Sequence, residues 1–231
     1  MDIIRDPAEL QRICLSWRAN GERIGFVPTM GYFHSGHLAL MDAAKARAKR
    51  LVVSLFVNPT QFGPTEDLAA YPRDFERDAA LAAEHGADVL FAPERGAMYQ
   101  GPDVWVDVPQ VAAHLCGASR PGHFRGVATV VAKLLLLVQP HVAVFGEKDR
   151  QQLAVIRAMA RQLFLNVTIE GHPIVREADG LAMSSRNVYL TAAERAVAPN
   201  IHQGLLFARE RILAGERDSA QLAQALREFY A

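Results

Sequence analysis

Hydrophobic positions along this chain fall into short unbroken runs separated by longer amphipathic stretches. Runs of Val, Ile, Leu and Phe predict strands at about 23–28, 50–57, 87–92, 141–146 and 167–175, each with the continuous apolar character of a strand covered on both faces. Helical periodicity fills the gaps at about 38–48, 73–85, 126–138 and 149–164. Strand alternating with helix implies right-handed crossovers, and hence an α/β fold with a doubly wound parallel sheet. Val104-Trp105-Val106-Asp107-Val108 alternates and is read as a candidate edge strand. The texture changes after Leu190. Thr191-Ala192-Ala193-Glu194 is a capping-box start, and the chain then reads as two helices split near Gly215-Glu216-Arg217-Asp218-Ser219. The expected division is a domain over 1–190 and a short helical C-terminal segment over 191–231, the incomplete start of a further lobe.

Composition narrows the function classes. The chain has 231 residues, half of them hydrophobic, enough for a sizeable core. Lys+Arg 25 balances Asp+Glu 25, so no global field exists to hold nucleic acid or an anionic membrane. Cys14 and Cys116 lie far apart, in no metal-type spacing, as expected in a reducing compartment. No basic segment followed by an apolar run opens the chain, and the apolar stretch 127–138 is interrupted by Lys133 and too short for a bilayer. A soluble cytoplasmic protein with no nucleic-acid or membrane partner is expected.

Four segments carry candidate chemistry, each after a predicted strand. Pro28-Thr29-Met30-Gly31-Tyr32-Phe33-His34-Ser35-Gly36-His37 joins the first strand to a helix. Such a turn aims backbone N–H groups and the positive helix end at a ligand, which favours an anion. His34 and His37 add donors that are neutral or charged near pH 7. H-x-G-H in this setting is a phosphate-handling signature of enzymes that transfer a nucleotidyl group. Val57-Asn58-Pro59-Thr60-Gln61-Phe62-Gly63 is either a plain Asn-Pro turn or a place where Asn58 and Gln61 offer amides to a small polar substrate. Phe145-Gly146-Glu147-Lys148-Asp149-Arg150-Gln151-Gln152 offers a glycine for close approach, a cation for phosphate, a carboxylate for ribose hydroxyls, and Gln152 one helical turn on. Arg176-Glu177-Ala178-Asp179-Gly180-Leu181-Ala182-Met183-Ser184-Ser185-Arg186-Asn187 is a loop with two hydroxyls and the bidentate fork of Arg186.

Pro28-Thr29-Met30-Gly31, His34-x-Gly36-His37, Phe56-Val57-Asn58-Pro59-Thr60-Gln61-Phe62, Tyr71-Pro72-Arg73, Gly146-Glu147-Lys148-Asp149-x-x-Gln152 and Arg176-Glu177-x-Asp179-Gly180-Leu181-Ala182-Met183-Ser184-Ser185-Arg186-Asn187 together closely resemble the pantoate–β-alanine ligases. The resemblance runs from about Arg23 to Leu190 and implies a Rossmann-like nucleotidyltransferase fold, homodimerisation, and a C-terminal lobe with a small sheet. It implies ATP-dependent condensation of (R)-pantoate with β-alanine through a pantoyl-adenylate, releasing pyrophosphate and AMP. Mg2+ enters with ATP as the substrate complex, and no resident metal site is implied. Among residues, it assigns His37, Lys148 and Arg186 to catalysis. Met30, His34, His37, Gly146, Lys148, Asp149, Val175, Met183, Ser184, Ser185 and Arg186 are assigned to ATP. Gln61, Gln152 and Met30 fall to pantoate, and Asn58 and Tyr71 to β-alanine. Arg120 lies in what the family uses as a cover and is either a substrate contact or a solvated loop residue.

Two rivals compete. A nucleotidyltransferase making a CDP- or NAD-type product would carry a different basic loop, and Gln61 with Gln152 favours a small hydroxy acid. A non-catalytic nucleotide-binding regulator would lack Lys148, His37 or Arg186, and all three are present.

Overall fold

The computed structural model describes residues 1–101 and 104–231. They form two compact units, Met1–Pro173 and Ile174–Ala231. The division thus falls earlier than the change of texture at 190.

The first unit is built on one sheet of strands β1 (Asp2–Ile4), β2 (Ile24–Thr29), β3 (Arg50–Leu55), β4 (Val89–Phe91), β5 (Val142–Gly146) and β6 (Thr168–His172). Their spatial order is β1-β4-β3-β2-β5-β6, with every pairing parallel. The main crossovers run through α1 (Pro7–Ala19), α2 (Ser35–Lys45), α3 (Phe75–Glu84), α4 (His123–Val138) and α5 (Arg150–Gln162). Alternate strand residues feed two cores. Phe26, Val52 and Phe91 pack with Leu10 of α1, Val131 of α4 and Ile156 of α5. Val27, Val53 and Leu90 pack with Met41 of α2 and Ala82 of α3. Helices therefore cover both faces of the sheet, as the unbroken apolar strands predicted. At Gly25 a Cβ would stand 2.8 Å from the Ala44 carbonyl oxygen, so a bare glycine lets α2 lie close on β2.

The winding order positions the ligand-facing end. From β2 the chain steps outward to β3 and β4, then crosses back to β5 on the other side of β2. Gly25 pairs with Val142 and Phe26 with Ala143 across that reversal. A sheet that reverses in this way leaves a crevice beyond the carboxyl ends of the two strands. The H-x-G-H turn follows one of them and Lys148 the other.

Three sequence expectations need correction in this unit. Strand β1 and helix α1 were not anticipated, although Asp6 caps α1 by accepting from the Ala8 N–H at 3.1 Å, Pro7 starts it, and Leu10 and Cys14 repeat on its buried face. Residues 104–108 form no strand. Instead the Val106 N–H donates to Thr129 Oγ1 at 2.9 Å, which ties the segment to α4. Strand β6 stops at His172 rather than 175, immediately before Pro173, which has no N–H for a ladder.

The second unit begins with the loop at 174–190 and continues as α6 (Ala192–Val197), α7 (Asn200–Leu213) and α8 (Ser219–Tyr230). These are three helices where two were expected, because Pro199 separates α6 from α7. The capping box holds as read: the Thr191 N–H donates to Glu194 Oε2 at 2.8 Å and the Glu194 N–H to Thr191 Oγ1 at 3.3 Å. Helices α7 and α8 meet through Phe207 stacked on Phe229 at 5.3 Å and the Tyr230 hydroxyl donating to the Ile201 carbonyl at 3.1 Å. Among the described residues, no helix is long and apolar enough to cross a membrane.

Candidate active site

The turn after β2 is held by buried partners. Thr29 Oγ1 donates to the Ser54 carbonyl at 2.6 Å and accepts from the Gly31 N–H at 3.2 Å. Gly31 and Tyr32 then take φ of 86° and 52°, a left-handed pair that costs Tyr32 strain. Asp78 of α3 supports it. Only 1% exposed, its carboxylate accepts from the N–H groups of Tyr32 at 2.6 Å and Phe33 at 2.7 Å. Burial raises the Asp78 pKa, against the lowering effect of those two N–H groups. Arg77 adds a bond to the Phe33 carbonyl at 2.9 Å and lies 5.5 Å over the Tyr32 ring.

His34 caps α2. Its Nδ1 accepts from the Gly36 N–H at 3.1 Å, while His37 Nδ1 accepts from the His34 N–H at 3.4 Å. With both Nδ1 atoms accepting, the neutral rings carry their protons on Nε2. The ring centroids lie 4.1 Å apart. Burial, then the charges of Lys148 and Arg77, pushes the His34 pKa down to about 4. Burial, then His34, then Lys148, pushes that of His37 down to about 3. At neutral pH the pair is therefore two uncharged N–H donors at a positive helix end, within the fields of Lys148 and, at His34, of Arg77. The histidine turn follows β2 and the lysine-bearing segment follows β5, its parallel neighbour, so both lie at the carboxyl end of the sheet. Gly146 closes β5, a 3-10 turn carries Lys148 and Asp149, and α5 follows with Gln152 in its first turn. A Cβ on Gly146 would meet open space, so the backbone there is approachable.

Asn58, Gln61 and Met30 come together. Asn58 is 1% exposed. Its Nδ2 donates to Gln61 Oε1 and to the Gly126 carbonyl, both at 3.2 Å. Its Oδ1 accepts from the Tyr99 hydroxyl at 2.7 Å and the Thr60 hydroxyl at 3.0 Å. Gln61 Nε2 lies 3.1 Å from the Met30 sulfur. Sequence reasoning offered Asn58 as a β-alanine contact. The structure uses both its amide protons within the protein and makes it a support for Gln61. Tyr71 is 5% exposed, its ring edge-on to Phe62 at 6.1 Å. Arg120 is ion-paired within the first unit. It forms a two-bond pair with Glu66, at 2.7 and 2.6 Å, and holds the Glu66 carboxyl down to about 2. Arg120 also meets His123 at 3.0 Å, and His123 Nδ1 meets the Gln61 carbonyl at 2.8 Å.

In the second unit, the Met183 N–H donates to the Val175 carbonyl at 3.0 Å, so the two residues assigned to adenine are neighbours. Ser184 Oγ accepts from the Arg186 N–H at 3.2 Å and starts a 3-10 turn that buries Ser185 and exposes Arg186. Asn187 ties the loop together by donating to Glu177 at 3.2 Å and the Ala182 carbonyl at 3.1 Å.

Sequence reasoning missed Asp78, Arg77, Tyr99, Glu66 and His123. Asp78 left a trace: it is a carboxylate on the core-facing stripe of α3, one turn before buried Ala82. No local signal marks Tyr99, whose partners are distant in sequence. Among the described residues, no three His, Cys, Asp or Glu side chains cluster to hold a metal ion.

This arrangement can bind phosphate at a helix start, neutralise charge with a lysine and hold a small polar acid with amides, which agrees with the relatives. A family model described as pantoate-beta-alanine ligase matches residues 2–231. The pantothenate synthetase of Oleidesulfovibrio alaskensis is 61% identical over all of this chain and 82% of its own length. The crystal structure of pantothenate synthetase from Thermus thermophilus superimposes with a TM-score of 0.92 at 50% identity, over 99% of this chain and 82% of that one. The pantoate-beta-alanine ligase from Francisella tularensis, complexed with beta-gamma ATP and beta-alanine, gives 0.85 at 35% identity, over 99% of this chain and 86% of that one. The chain belongs to the pantoate–β-alanine ligase family.

Proposed function

We propose that the chain joins pantoate to β-alanine at the expense of ATP, as a carbon–nitrogen ligase that releases AMP and pyrophosphate. The observation that supports this reading is that the His34–His37 turn and the Lys148 segment follow neighbouring parallel strands at the reversal of the sheet, with Gln61 Nε2 3.1 Å from the Met30 sulfur of the same turn. Mg-ATP is the substrate form of the nucleotide. The pantoate carboxylate attacks the α-phosphorus, pyrophosphate leaves, and the amine of β-alanine then displaces AMP from the acyl-adenylate. No protein nucleophile is needed. Catalysis is positioning and stabilisation of phosphoryl charge.

Each residue has a physical reason for its role. His34 and His37 donate Nε2–H to phosphate oxygens, and Lys148 supplies the compensating charge. Gly146 and Asp149 bind ribose. Met30, through its backbone N–H, Gln61 and Gln152 hold pantoate. Asn58 and Tyr71 serve β-alanine, and Asn58 also orients Gln61. In the second unit, Val175 and Met183 border adenine, while Ser184, Ser185 and Arg186 hold phosphate oxygens. The active species is a cytoplasmic homodimer, testable by sedimentation. Incubation with Mg-ATP, pantoate and β-alanine should yield pantothenate and AMP by mass spectrometry. Pyrophosphate should already appear with Mg-ATP and pantoate in the absence of β-alanine. An adenylated side chain found as a competent intermediate would refute this route.

A further inference from the structure

The orientation of the Gln61 amide is set by its neighbours within the protein. The Thr60 backbone N–H points at Asn58 Oδ1, at 3.4 Å, and the Gly126 carbonyl faces Asn58 Nδ2, at 3.2 Å. One is an obligate donor and the other an obligate acceptor, so the Asn58 amide has one permitted orientation. Asn58 Nδ2 also faces Gln61, at 3.2 Å, and the Gln61 atom there must be its oxygen. Gln61 Nε2 is thereby turned outward, toward Met30. The Thr60 N–H contact is long, and two hydroxyls hold the amide in that orientation: Tyr99 donates to Asn58 Oδ1 at 2.7 Å, the shortest of these bonds, and Thr60 at 3.0 Å. Tyr99 is itself fixed: Lys133 Nζ lies 4.3 Å from its ring centroid and donates to the Met98 carbonyl at 2.8 Å.

We propose that Tyr99 is a positioning residue that, through Asn58, locks Gln61 so that its amide N–H rather than its carbonyl meets the oxygen-rich acid substrate. This rests on Gln61 contacting pantoate, as proposed above. An amide free to flip would present its oxygen half the time and repel a carboxylate or hydroxyl oxygen. Locking it removes that loss and favours an acceptor-rich ligand over an amide or amine analogue of the same shape.

The test is a double-mutant cycle on Tyr99→Phe and Gln61→Ala with steady-state kinetics. Phenylalanine keeps the ring under Lys133 and deletes only the hydroxyl. Tyr99→Phe alone should raise the pantoate KM about fivefold, the factor carried by one neutral hydrogen bond of about 1 kcal/mol. The ATP KM and kcat should change less than twofold, a split that general loosening of the fold would not give. In the Gln61→Ala background, Tyr99→Phe should add nothing to the pantoate KM. If Gln61→Ala raises that KM and Tyr99→Phe still adds its full effect, the relay is wrong while the pantoate reading stands. If Gln61→Ala leaves the pantoate KM unchanged, the reading itself falls. If Tyr99→Phe alone leaves the pantoate KM unchanged, the hydroxyl orients nothing and the proposal is overturned.

Discussion

Asp78 accepts from the Phe33 N–H at 2.7 Å, and so a residue of α3 fixes the turn that starts α2. The same carboxylate accepts from Tyr32 at 2.6 Å. One buried side chain thus sets the backbone just before His34. Asp78→Ala would leave two donors without partners, a loss of roughly 1–3 kcal/mol each, partly offset by no longer burying a carboxylate. The expected result is a net loss of about 2 kcal/mol, seen as a fall of about 4–8 °C in Tm by calorimetry. kcat should fall with it, because the histidines move. A variant with wild-type Tm and kcat would show that the turn holds itself.

The histidines give stability a pH dependence of known sign. Their folded pKa values, about 4 for His34 and about 3 for His37, lie below the ordinary 6.5. Between these limits the unfolded chain binds more protons than the folded one. The stability that rests on neutral imidazoles is complete above pH 6.5 and is lost as pH falls toward 4. His37→Asn removes one such group. In urea titrations from about pH 6 to about pH 4.5, the slope of unfolding free energy should become shallower by up to about 1.4 kcal/mol per pH unit. An unchanged slope would mean that His37 is not held neutral.

Lys148 and Gln152 share one helix start but should fail differently. In the proposed reaction the Lys148 charge would meet charge that grows as pyrophosphate leaves. Its loss in Lys148→Ala should lower kcat by about a hundred- to thousandfold. Gln152→Ala removes a neutral contact present before and during reaction, and should mainly raise the pantoate KM, by about fivefold. Near-normal kcat in folded Lys148→Ala would remove this lysine from the phosphates.

Gly126 is a packing glycine with a functional consequence. A Cβ there would overlap the backbone of Thr60 and Gln61. Gly126→Ala should push that turn off α4, costing about 1–3 kcal/mol in denaturant titrations and weakening pantoate more than ATP. Equal weakening of both substrates would show that the turn does not carry the pantoate contact.

The sheet was legible because strands β2 to β5 are mostly Val, Leu, Ile and Phe, largely buried, and this pattern needs no tertiary information to read. The candidate phosphate residues were legible because a turn after a strand announces itself through Gly, Pro and His. The supports of the site were not. Asp78 reaches across 45 residues to Phe33, Asn58 across 68 to Gly126, and Arg120 across 54 to Glu66. Such pairs have no local period or spacing. Helix α1 is a different case: its Leu10, Ile13, Cys14 and Trp17 repeat was present in the sequence and simply diluted by polar neighbours.

The reversal between β2 and β5 also bears on how the chain acquires activity. The two loops proposed to face phosphate follow strands that are adjacent in space yet separated by more than a hundred residues. Contacts of that span form late, because closing the intervening loop costs entropy before any pairing repays it. A nascent chain that has exposed only β2, β3 and β4 to solvent holds the histidines without the lysine. Nucleotide can therefore reward only the fully wound sheet, so ATP should slow proteolysis of the finished first unit and leave its assembling precursors unprotected.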